Sequence, residues 1–447
     1  MRMPSASKPH LWLPAVAAAL LLGVLLYPGC STHKGGGMTV TVGPQSADVI
    51  GTDNVAIQKA IDQVAAAGGG MVLLKAGTYT LANSVRLASN ITLQGEGPDK
   101  TILKKVAGVR SKLKIDADYG EYKATVEDAA GFRPGMGVTV VDKVQRSGWT
   151  PSVRTITRID GNTLYFDNFL QMDYHVELDG EVFNTFPLIA GFGVKNVKVE
   201  NLTADGSREG SGILGGCQTG AVYFFHSSKM TLHNVVARNY PGDGISLQFV
   251  EDPVVDHCDS YDNAYLGIHL GTGALRGIVE NNRAHDNGED GLYLCWRVQH
   301  ARYADNRSWN NGRDGISLGH KDSNNLFVNN TSTGNGRAGI YFRDENRSNA
   351  PDGNTFEHNT IADNGRNGEK PTNIHIGGMV HNVTFTENTI ALNEAKGKTP
   401  KLVGIYVGPQ TDFITLSKNT FSGPLKQAIV NDSKGTHNQI AVQEAKR

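Results

Sequence analysis

A short, mostly apolar segment recurs at nearly constant spacing through the second half of the chain. Six four-residue copies begin 23, 23, 24, 24 and 24 residues apart. Their second and fourth positions are apolar and their third is polar or aromatic, which is the period of two that is typical of β-strands. The copies are Ala221-Val222-Tyr223-Phe224, Gly244-Ile245-Ser246-Leu247, Gly267-Ile268-His269-Leu270, Gly291-Leu292-Tyr293-Leu294, Gly315-Ile316-Ser317-Leu318 and Gly339-Ile340-Tyr341-Phe342. Related segments at 373–376, 404–407 and 428–430 indicate further strands with insertions between them.

Two polar columns follow the same repeat, always five residues apart. The first consists of Asn234, Cys258, Asn282, Asn306, Asn330, Asn359 and Asn388. The second consists of Asn239, Asn263, Asn287, Asn311, Asn335, Asn364 and Asn393. In stacked coils, the inter-strand spacing of ~4.7 to 4.9 Å places each asparagine above its counterpart, where side-chain amides hydrogen-bond along the stack. We therefore predict that both columns are structural.

A repeat of this length is typical of stacked units that cannot bury their apolar face alone. A leucine-rich horseshoe is the competing solenoid, but the repeat lacks its L-x-x-L-x-L pattern and its helical return. The pattern therefore predicts an all-β chain folded as a parallel β-helix.

The N-terminal part of the chain supplies a cap for such a solenoid. Thr52-Asp53 is a helix-starting pair, Gly68-Gly69-Gly70 ends the helix, and Met71-Val72-Leu73-Leu74 begins a strand. The apolar stripe of the helix is Ile57, Ala60, Ile61 and Val64. An open solenoid end needs covering, so we expect this helix to close it.

Residues 53–97 (DNVAIQKAIDQVAAAGGGMVLLKAGTYTLANSVRLASNITLQGEG) closely resemble the opening of the pectate-lyase-like superfamily of β-helix proteins, and the repeats from about 196 to 431 resemble its coils. This resemblance implies a right-handed, single-stranded parallel β-helix and a bacterial origin. It indicates the fold strongly and the reaction weakly.

Residues 108–190 lose the asparagine register and contain the turn signals Pro134-Gly135 and Asp160-Gly161. We interpret them as an inserted antiparallel β-module beside the helix. The predicted organisation is a signal segment at 1–30, the cap helix and first coils at 31–107, the insert at 108–190 and the main coils at 191–447.

The first residues predict export. Arg2 and Lys8 precede the apolar run Leu11–Tyr27, and Gly29-Cys30 resembles a lipobox, in which Cys30 is lipidated after cleavage. The alternative is an uncleaved span, for which 17 residues interrupted by Pro14 is short. We expect a cell-envelope or outer-membrane lipoprotein, or a secreted protein, that contacts a membrane only through its N-terminal lipid.

The net charge and the cysteine content argue against some classes of partner and of structural site. Residues 30–447 carry 41 bases and 44 acids, a net charge of −3, which argues against nucleic acid as a partner. Beyond Cys30 the three cysteines Cys217, Cys258 and Cys295 are too sparse for a disulfide framework or a spaced zinc site, so we expect buried thiols. The sequence does not indicate the oligomeric state.

The third positions of the repeat should form one exposed strip along the coils. The strip consists of Tyr223, Ser246, His269, Tyr293, Ser317, Tyr341, His375 and Tyr406, and a loop at about 343–353 lies beside it. Aromatic faces suit sugar rings, and Arg or Lys suits uronate carboxylates, so the predicted partner is a polysaccharide. The predicted substrate-binding residues are Tyr223, His226, Trp296, Arg297, Tyr341, Arg343 and Asp344.

The first candidate chemistry is β-elimination or C5 epimerisation at a uronate. Removing the C5 proton requires a base, and the carboxylate requires a cation. We predict His269 and Tyr293 as base and acid, with His320 and Lys321 completing the catalytic set and with Arg297 and Lys321 beside the carboxylate. Each residue alone is better explained as surface decoration or as part of a hydrogen-bonded stack, but their clustering favours a site.

The second candidate is hydrolysis by paired carboxylates. Stacking would place Asp290 and Asp314 about 5 Å apart, and Asp243 roughly 9.6 Å from Asp290, distances within reach of those that glycosidases use. The same Asp-Gly pairs are also typical of turns, with Arg313 and Arg337 neutralising the charge. The sequence identifies no cofactor, and Ca²⁺ is a candidate ion at these carboxylates.

The third alternative is a non-catalytic β-helix that binds glycan or serves as a surface spacer. No family motif assigns the reaction, and the Asp-Pro-His-Asp motif of many alginate epimerases is absent, since Glu251-Asp252-Pro253-Val254 only begins similarly. The clustered strip favours an enzyme over a binding module. The leading prediction is therefore a uronate lyase or C5-epimerase.

Overall fold

The computed structural model describes residues 37–367, 371–393 and 401–441. The predicted signal segment and Cys30 lie outside this part of the chain. The described strands wind in successive coils, and adjacent coils pair in parallel.

One wall of the coils carries the repeated segments and is called the repeat sheet here. In strict register it aligns Tyr223, Ser246, His269, Tyr293, Ser317, Tyr341, His375 and Tyr406 as one ladder. The predicted strip is therefore a single column of the fold. The eleven strands of the repeat sheet in the described residues are Val85–Leu87, Ile189–Phe192, Val222–Phe225, Ile245–Gln248, Ile268–Leu270, Leu292–Leu294, Asp314–Leu318, Ala338–Phe342, Thr372–Ile376, Val403–Val407 and Gln427–Asn431.

The remaining walls of the coils form a second parallel sheet, called the return sheet here. From Val254 onward most coils contribute two short strands to it, separated by a bend of one or two residues in the left-handed backbone region or near it. Its 23 strands in the described residues are Met38–Gly43, Val49–Ile50, Gly70–Leu74, Gly77–Leu81, Ile91–Gly95, Thr101–Lys105, Lys195–Asp205, Ser228–Arg238, Val254–Asp256, Asp259–Tyr261, Ile278–Glu280, Arg283–His285, Arg302–Ala304, Arg307–Trp309, Leu326–Val328, Thr331–Thr333, Thr355–Glu357, Thr360–Ala362, His381–Thr386, Thr389–Ala391, Asp412–Ser417, Thr420–Ser422 and Gln439–Ile440.

The inward face of both sheets forms one continuous apolar core. The second and fourth positions of the repeat, such as Ile268 and Leu270, are buried in it as predicted. The return sheet adds a stack of rings whose centroids lie 4.8, 4.4 and 4.4 Å apart. This stack consists of Tyr303, Phe327, Phe356 and Phe385.

Hydrogen-bonded ladders run along the corners of the coils from Asn282 to Asn388 in the first column and from Asn263 to Asn364 in the second. Asn306 is representative, since its Nδ2 donates to Asn330 Oδ1 at 2.9 Å and to the carbonyl oxygen of Val279 at 2.8 Å.

The prediction is wrong at the start of both columns, where Asn234 bonds Asn201 and Asn239 bonds Asp205, because the register aligns Cys258 and Asn263 with the residues that follow Asn234 and Asn239. It is also wrong at the end of the second column, where Asn364 bonds Asn373 at 3.0 Å and Asn393 does not continue the ladder. Asn373 reaches this position because it belongs to the next strand of the repeat sheet, only nine residues further on.

The predicted helix spans Asn54–Ala66. Asp53 caps it, its Oδ1 accepting a hydrogen bond from the Ala56 amide at 2.8 Å, and the stripe of Ile57, Ala60, Ile61 and Val64 is buried in the core. Two short 3₁₀ helices span Val176–Leu178 and Arg347–Asn349. Within the described residues, we find no helix with the length and apolar character needed to span a bilayer.

The inserted module is a six-stranded antiparallel sheet with its own apolar core. Its loop at 147–149 reaches the repeat sheet, where the Trp149 ring packs 5.5 Å from that of Phe225 and 5.6 Å from that of Phe249. The predicted strip is therefore covered over part of its length rather than exposed throughout, and His269 is only 1% exposed. The strands of the insert are Arg110–Lys112, Lys123–Thr125, Gly137–Val141, Ser152–Asp160, Thr163–Phe166 and Glu181–Phe183.

Candidate active site

A cavity of about 260 Å³ lies where the insert meets the repeat sheet. Three separate parts of the chain line it. The insert contributes 147–149, the loop before the first repeat contributes Gly216 and Cys217, and three coils of the repeat sheet contribute the rest. The lining residues from these coils are Tyr265, Leu266, His269, Thr272, Glu289, Asp290, Tyr293, Cys295, Trp296 and Arg313.

His269 is held in the cavity wall by a buried carboxylate. Its Nδ1 lies 2.8 Å from Oδ2 of Asp243, whose Oδ1 accepts the Leu266 amide at 3.3 Å. Both oxygens of the carboxylate therefore accept a hydrogen bond, which favours its ionised form. Burial raises the pKa of Asp243, but these hydrogen bonds oppose the shift, and we assign an imidazolium–carboxylate pair. Burial lowers the pKa of His269, but hydrogen bonds to Asp243 and Cys295 outweigh it and raise that pKa to about 9. His269 is thus a cation at neutral pH.

Asp290 presents a free carboxylate oxygen in the same cavity. Its Oδ1 accepts the Asp314 amide at 2.9 Å, whereas its buried Oδ2 has no hydrogen-bond partner among the described residues. Complete burial and the nearby charge of Asp314 raise the pKa of Asp290 to about 7, against the opposing effect of Arg313. A carboxylate that titrates near neutral pH is well suited to accept and release a proton.

Tyr293 lies one coil from His269, and the two rings meet edge to face with centroids 5.1 Å apart. Burial raises the pKa of the Tyr293 hydroxyl, and Arg343 only partly opposes this. Tyr293 therefore remains a phenol at neutral pH and is suited to donate a proton rather than to accept one.

Arg343 lies beside Tyr293 and is largely withdrawn from the surface. Its guanidinium carbon is 4.5 Å from the Tyr293 ring centroid, and its nitrogens donate to Ser317 Oγ at 3.1 Å, the Leu294 carbonyl at 2.7 Å and Asp322 Oδ2 at 3.1 Å. These partners take up three of its five N–H donors and hold its guanidinium against the Tyr293 ring.

Several predicted site residues follow the strands of the repeat sheet rather than lying within them, and they are more exposed. Trp296 is 47% exposed and stacks on His320 with centroids 4.7 Å apart. His320 Nδ1 pairs with Glu345 Oε1 at 2.7 Å. His320 is not among the residues that line the cavity, and its ring supports that of Trp296. Arg297 and Lys321 are exposed and also lie outside the lining.

The other predicted substrate-binding residues are distributed along the repeat sheet outside this cavity. His226 stacks on Phe249 at 4.7 Å, and Tyr223 is buried with its hydroxyl donating to the Cys217 carbonyl at 2.9 Å. Tyr341 stacks on His375, which stacks on Tyr406. The exposed Asp344 accepts the Gly378 amide at 2.9 Å.

The three aspartates considered for hydrolysis have different environments. Asp314 is buried and forms a two-point ion pair with Arg337, with Nε to Oδ1 at 3.0 Å, and it lies outside the cavity lining. Asp243 is engaged by His269. Of these three, Asp290 alone lines the cavity with an oxygen that has no hydrogen-bond partner among the described residues, so the predicted aspartates do not form a pair of available carboxylates.

Cys217, Cys295 and Trp149 also line the cavity, although the sequence pattern does not predict them as site residues. Cys295 directly follows the repeat segment that contains Tyr293, so its position in the sequence indicates that it lies near the site. Cys217 and Trp149 come from parts of the chain without the repeat register, so no spacing rule relates them to His269. All three cysteines are buried and free, as expected, but Cys217 and Cys295 also line the cavity.

The fold and the cavity together define a β-helix protein with a candidate active site on one wall. A family model described as "Right handed beta helix region" matches residues 188–361. The chain is therefore a right-handed parallel β-helix, as the sequence predicted.

Comparisons with characterised proteins give relatives over part of the chain. Mannuronan C5-epimerase AlgE1 of Azotobacter vinelandii is 26% identical over 267 residues, covering 50% of this chain and 17% of the relative. Mannuronan C5-epimerase AlgE6 of the same organism is 33% identical over 111 residues, covering 23% of this chain and 12% of the relative. The matched segments thus span less than a fifth of these relatives.

Solved structures with the same fold include the A-module of the Azotobacter vinelandii mannuronan C-5 epimerase AlgE4. It has a TM-score of 0.60 and 17% identity, covering 90% of this chain and 100% of that module. The AlgE6 A-module has a TM-score of 0.57 and 16% identity, with coverage of 88% and 95%. The bacteriophage Phi29 gene product 12 N-terminal fragment also has a TM-score of 0.57, with 13% identity and coverage of 87% and 57%. At these identities the structural matches show the shared fold.

Proposed function

We propose that this protein is an exported, polysaccharide-active enzyme that transfers the C5 proton of a uronate residue, with C5 epimerisation as its reaction. The observation that carries the proposal is the combination of Asp290, His269 and Tyr293 in one cavity. The similarity to mannuronan C5-epimerases AlgE1 and AlgE6 supports the same class of substrate.

In the proposed mechanism, Oδ2 of Asp290 takes the C5 proton. The electron pair of the C–H bond moves into the uronate carboxyl group, and the His269 imidazolium and Arg313 stabilise the added negative charge. The Tyr293 phenol then returns a proton to C5 from the opposite face, which inverts the centre. Proton exchange with solvent restores Asp290 to the carboxylate and Tyr293 to the phenol.

β-Elimination shares the first step and differs in the second. If the Tyr293 proton goes to the glycosidic oxygen at C4 instead of C5, the C4–O bond breaks and a 4,5-unsaturated sugar forms. In either case the exposed face of Trp296 is positioned to stack on a neighbouring sugar ring.

The test is a panel of mannuronan, guluronan, polygalacturonate and a neutral polysaccharide, offered to tag-free protein in D₂O with and without Ca²⁺. Epimerisation incorporates deuterium at C5 without chain cleavage, elimination gives ultraviolet absorbance, and hydrolysis gives reducing ends alone. The proposal requires C5 deuteration on at least one uronan and its loss in Asp290→Asn. Asp262→Asn is the matched control, because Asp262 is exposed, follows a strand of the return sheet and lies outside the cavity lining.

A folded wild-type protein that binds a uronan but leaves it unchanged would favour the glycan-binding alternative. The stacked rings of Tyr341, His375 and Tyr406 are the observation that supports such binding. Reducing ends without deuteration would contradict the proposal in favour of hydrolysis.

A further inference from the structure

A second cluster of polar side chains lies on the return sheet, away from the cavity. Among the described residues, one group of histidine, cysteine or acidic side chains brings three ligand atoms within 4.8 Å of one another. This group consists of His233, Asp256 and His257. Nothing in the proposed reaction uses these residues.

The coil geometry creates the cluster. Parallel pairing aligns His233 with Asp256 on the next coil, which brings their side chains to the inter-strand spacing of about 4.8 Å. His257 follows Asp256 at the bend of the coil, with φ of 53°, so its ring turns back toward the same carboxylate. The His233 and His257 rings lie 5.6 Å apart at 60°.

Both imidazoles aim the same ring nitrogen at one oxygen. His233 Nδ1 lies 2.8 Å from Oδ2 of Asp256, and His257 Nδ1 lies 3.0 Å from the same atom. Ligands at about 2.0 to 2.2 Å from a tetrahedral zinc ion lie roughly 3.4 Å apart. The two Nδ1–Oδ2 distances therefore need to lengthen by only a few tenths of an ångström, and all three ligand atoms already lie within 4.8 Å of one another.

Asp256 differs from the other acidic residues of the same column in its ion-pair partners. The aligned residues on the outer coils are Glu200, which pairs with Lys198 at 2.5 Å, and Glu280, which pairs with Arg302 at 2.9 Å. Among the described residues, by contrast, the ion-pair partners of Asp256 are imidazoles only, which carry a charge only when protonated. A divalent cation would supply the missing positive charge.

We propose that His233, Asp256 and His257 bind one divalent transition-metal ion, with Zn²⁺ as the representative ion. Two imidazoles and one carboxylate favour Zn²⁺, Cu²⁺ or Ni²⁺ over Ca²⁺ and Mg²⁺, which prefer oxygen ligands. The His233 and His257 side chains are 39% and 58% exposed, so the ion reaches the site from solvent and water completes its coordination. This site is independent of the proposed epimerase function.

The test is calorimetric titration of tag-free, metal-stripped protein with Zn²⁺, and with Ca²⁺ and Mg²⁺ for comparison. We expect one Zn²⁺ per chain and at least about tenfold weaker binding in His257→Asn. Asparagine tolerates the positive φ at this position, so the variant should fold normally. The matched control is His358→Asn, because His358 is also an exposed histidine with positive φ beside a carboxylate, Glu387 at 3.5 Å.

Electron paramagnetic resonance with Cu²⁺ gives a second measurement. We expect hyperfine coupling to two imidazole nitrogens in the wild type and to one in His257→Asn. The proposal is overturned if the folded protein binds no Zn²⁺, or if His257→Asn binds it as tightly as the wild type. The second outcome would place the ion elsewhere, for example at the thiols of Cys217 and Cys295.

Discussion

The imidazole of His269 and the carboxylate of Asp243 form a buried pair across adjacent coils, with Nδ1 2.8 Å from Oδ2. The side chains are 1% and 0% exposed. The carboxylate orients the ring and keeps it protonated in a cavity whose burial would otherwise make it neutral. The pair therefore fixes a cation where the proposed reaction develops negative charge.

Removing the carboxylate should make His269 neutral at neutral pH. In Asp243→Asn, burial acts without its main counterweight, so we expect the pKa of His269 to fall from about 9 toward or below 6.5. Loss of one partner of a buried pair should also lower the free energy of unfolding by about 3 to 5 kcal/mol. NMR titration of the histidine ring and denaturant unfolding measure the two effects. An imidazole that still titrates near 9 in the variant would show that Asp243 is not the cause.

The pH dependence of turnover should reflect two groups. Asp290 must be deprotonated and His269 protonated, so kcat/KM should rise through pH of about 7 and fall through pH of about 9. Initial rates of C5 deuterium exchange across this range give the profile. In whatever activity Asp243→Asn retains, the alkaline limb should move to lower pH while the acidic limb stays in place. A profile that is flat between pH 6 and 10 would exclude both assignments.

The deprotonated form of Asp290, which the proposed reaction requires, should lower the free energy of unfolding. Its pKa is raised from 3.8 to about 7, so the folded state holds the proton more tightly, and stability falls as pH rises from about 4 through 7. Asp290→Asn removes the buried charge and keeps an acceptor for the Asp314 amide. We expect this variant to be inactive yet more stable at pH 8, on the order of 2 to 4 kcal/mol.

Thermal unfolding at pH 4 and pH 8 tests this prediction, because the gain should nearly vanish at pH 4. Asp262→Asn is the control at both values, since Asp262 is exposed. A variant that is equally or less stable at pH 8 would mean that Asp290 carries no unfavourable charge.

The repeat explains why the fold could be predicted from the sequence. The alternation at Ile268 and Leu270 and the asparagine columns express the same register that pairs the coils, so they indicate both the strands and their stacking. The column containing His269 and Tyr293 follows from this register alone. Asn393 is an exception, because the intervening loops change the number of residues per coil.

The cover of the site could not be predicted in this way. Trp149 and Cys217 lie outside the repeat, and their approach to His269 depends on how the insert packs on the repeat sheet. Their position buries His269, which the alternation pattern predicts as exposed. The pKa of Asp290 depends on the same burial, so sequence spacing suggested a carboxylate pair where the structure leaves one available oxygen.

Trp296 should contribute to substrate binding more than to chemistry. Its ring is 47% exposed at the rim and stacks on His320. Loss of one sugar–aromatic stack in Trp296→Ala should raise KM several-fold, in line with about 0.5 to 1.5 kcal/mol for an aromatic contact, and leave kcat within about twofold. Steady-state kinetics on the active uronan measure both constants. Trp149→Ala is the comparison, because Trp149 also lines the cavity but comes from the insert. An unchanged KM in Trp296→Ala would remove Trp296 from the binding surface.

The asparagine ladder should be a major contribution to stability, independent of catalysis. Oδ1 of Asn306 accepts from the backbone and side-chain amides of Asn282 at 3.0 Å, and its Nδ2 donates to two further groups. Asn306→Ala leaves these buried partners unsatisfied, so we expect a loss of about 2 to 4 kcal/mol in the free energy of unfolding. Asn346→Ala is the control, since Asn346 is exposed and outside both ladders. Denaturant titration of both variants measures the difference, and a loss in Asn306→Ala no larger than in the control would show that the ladder satisfies polar groups without adding net stability.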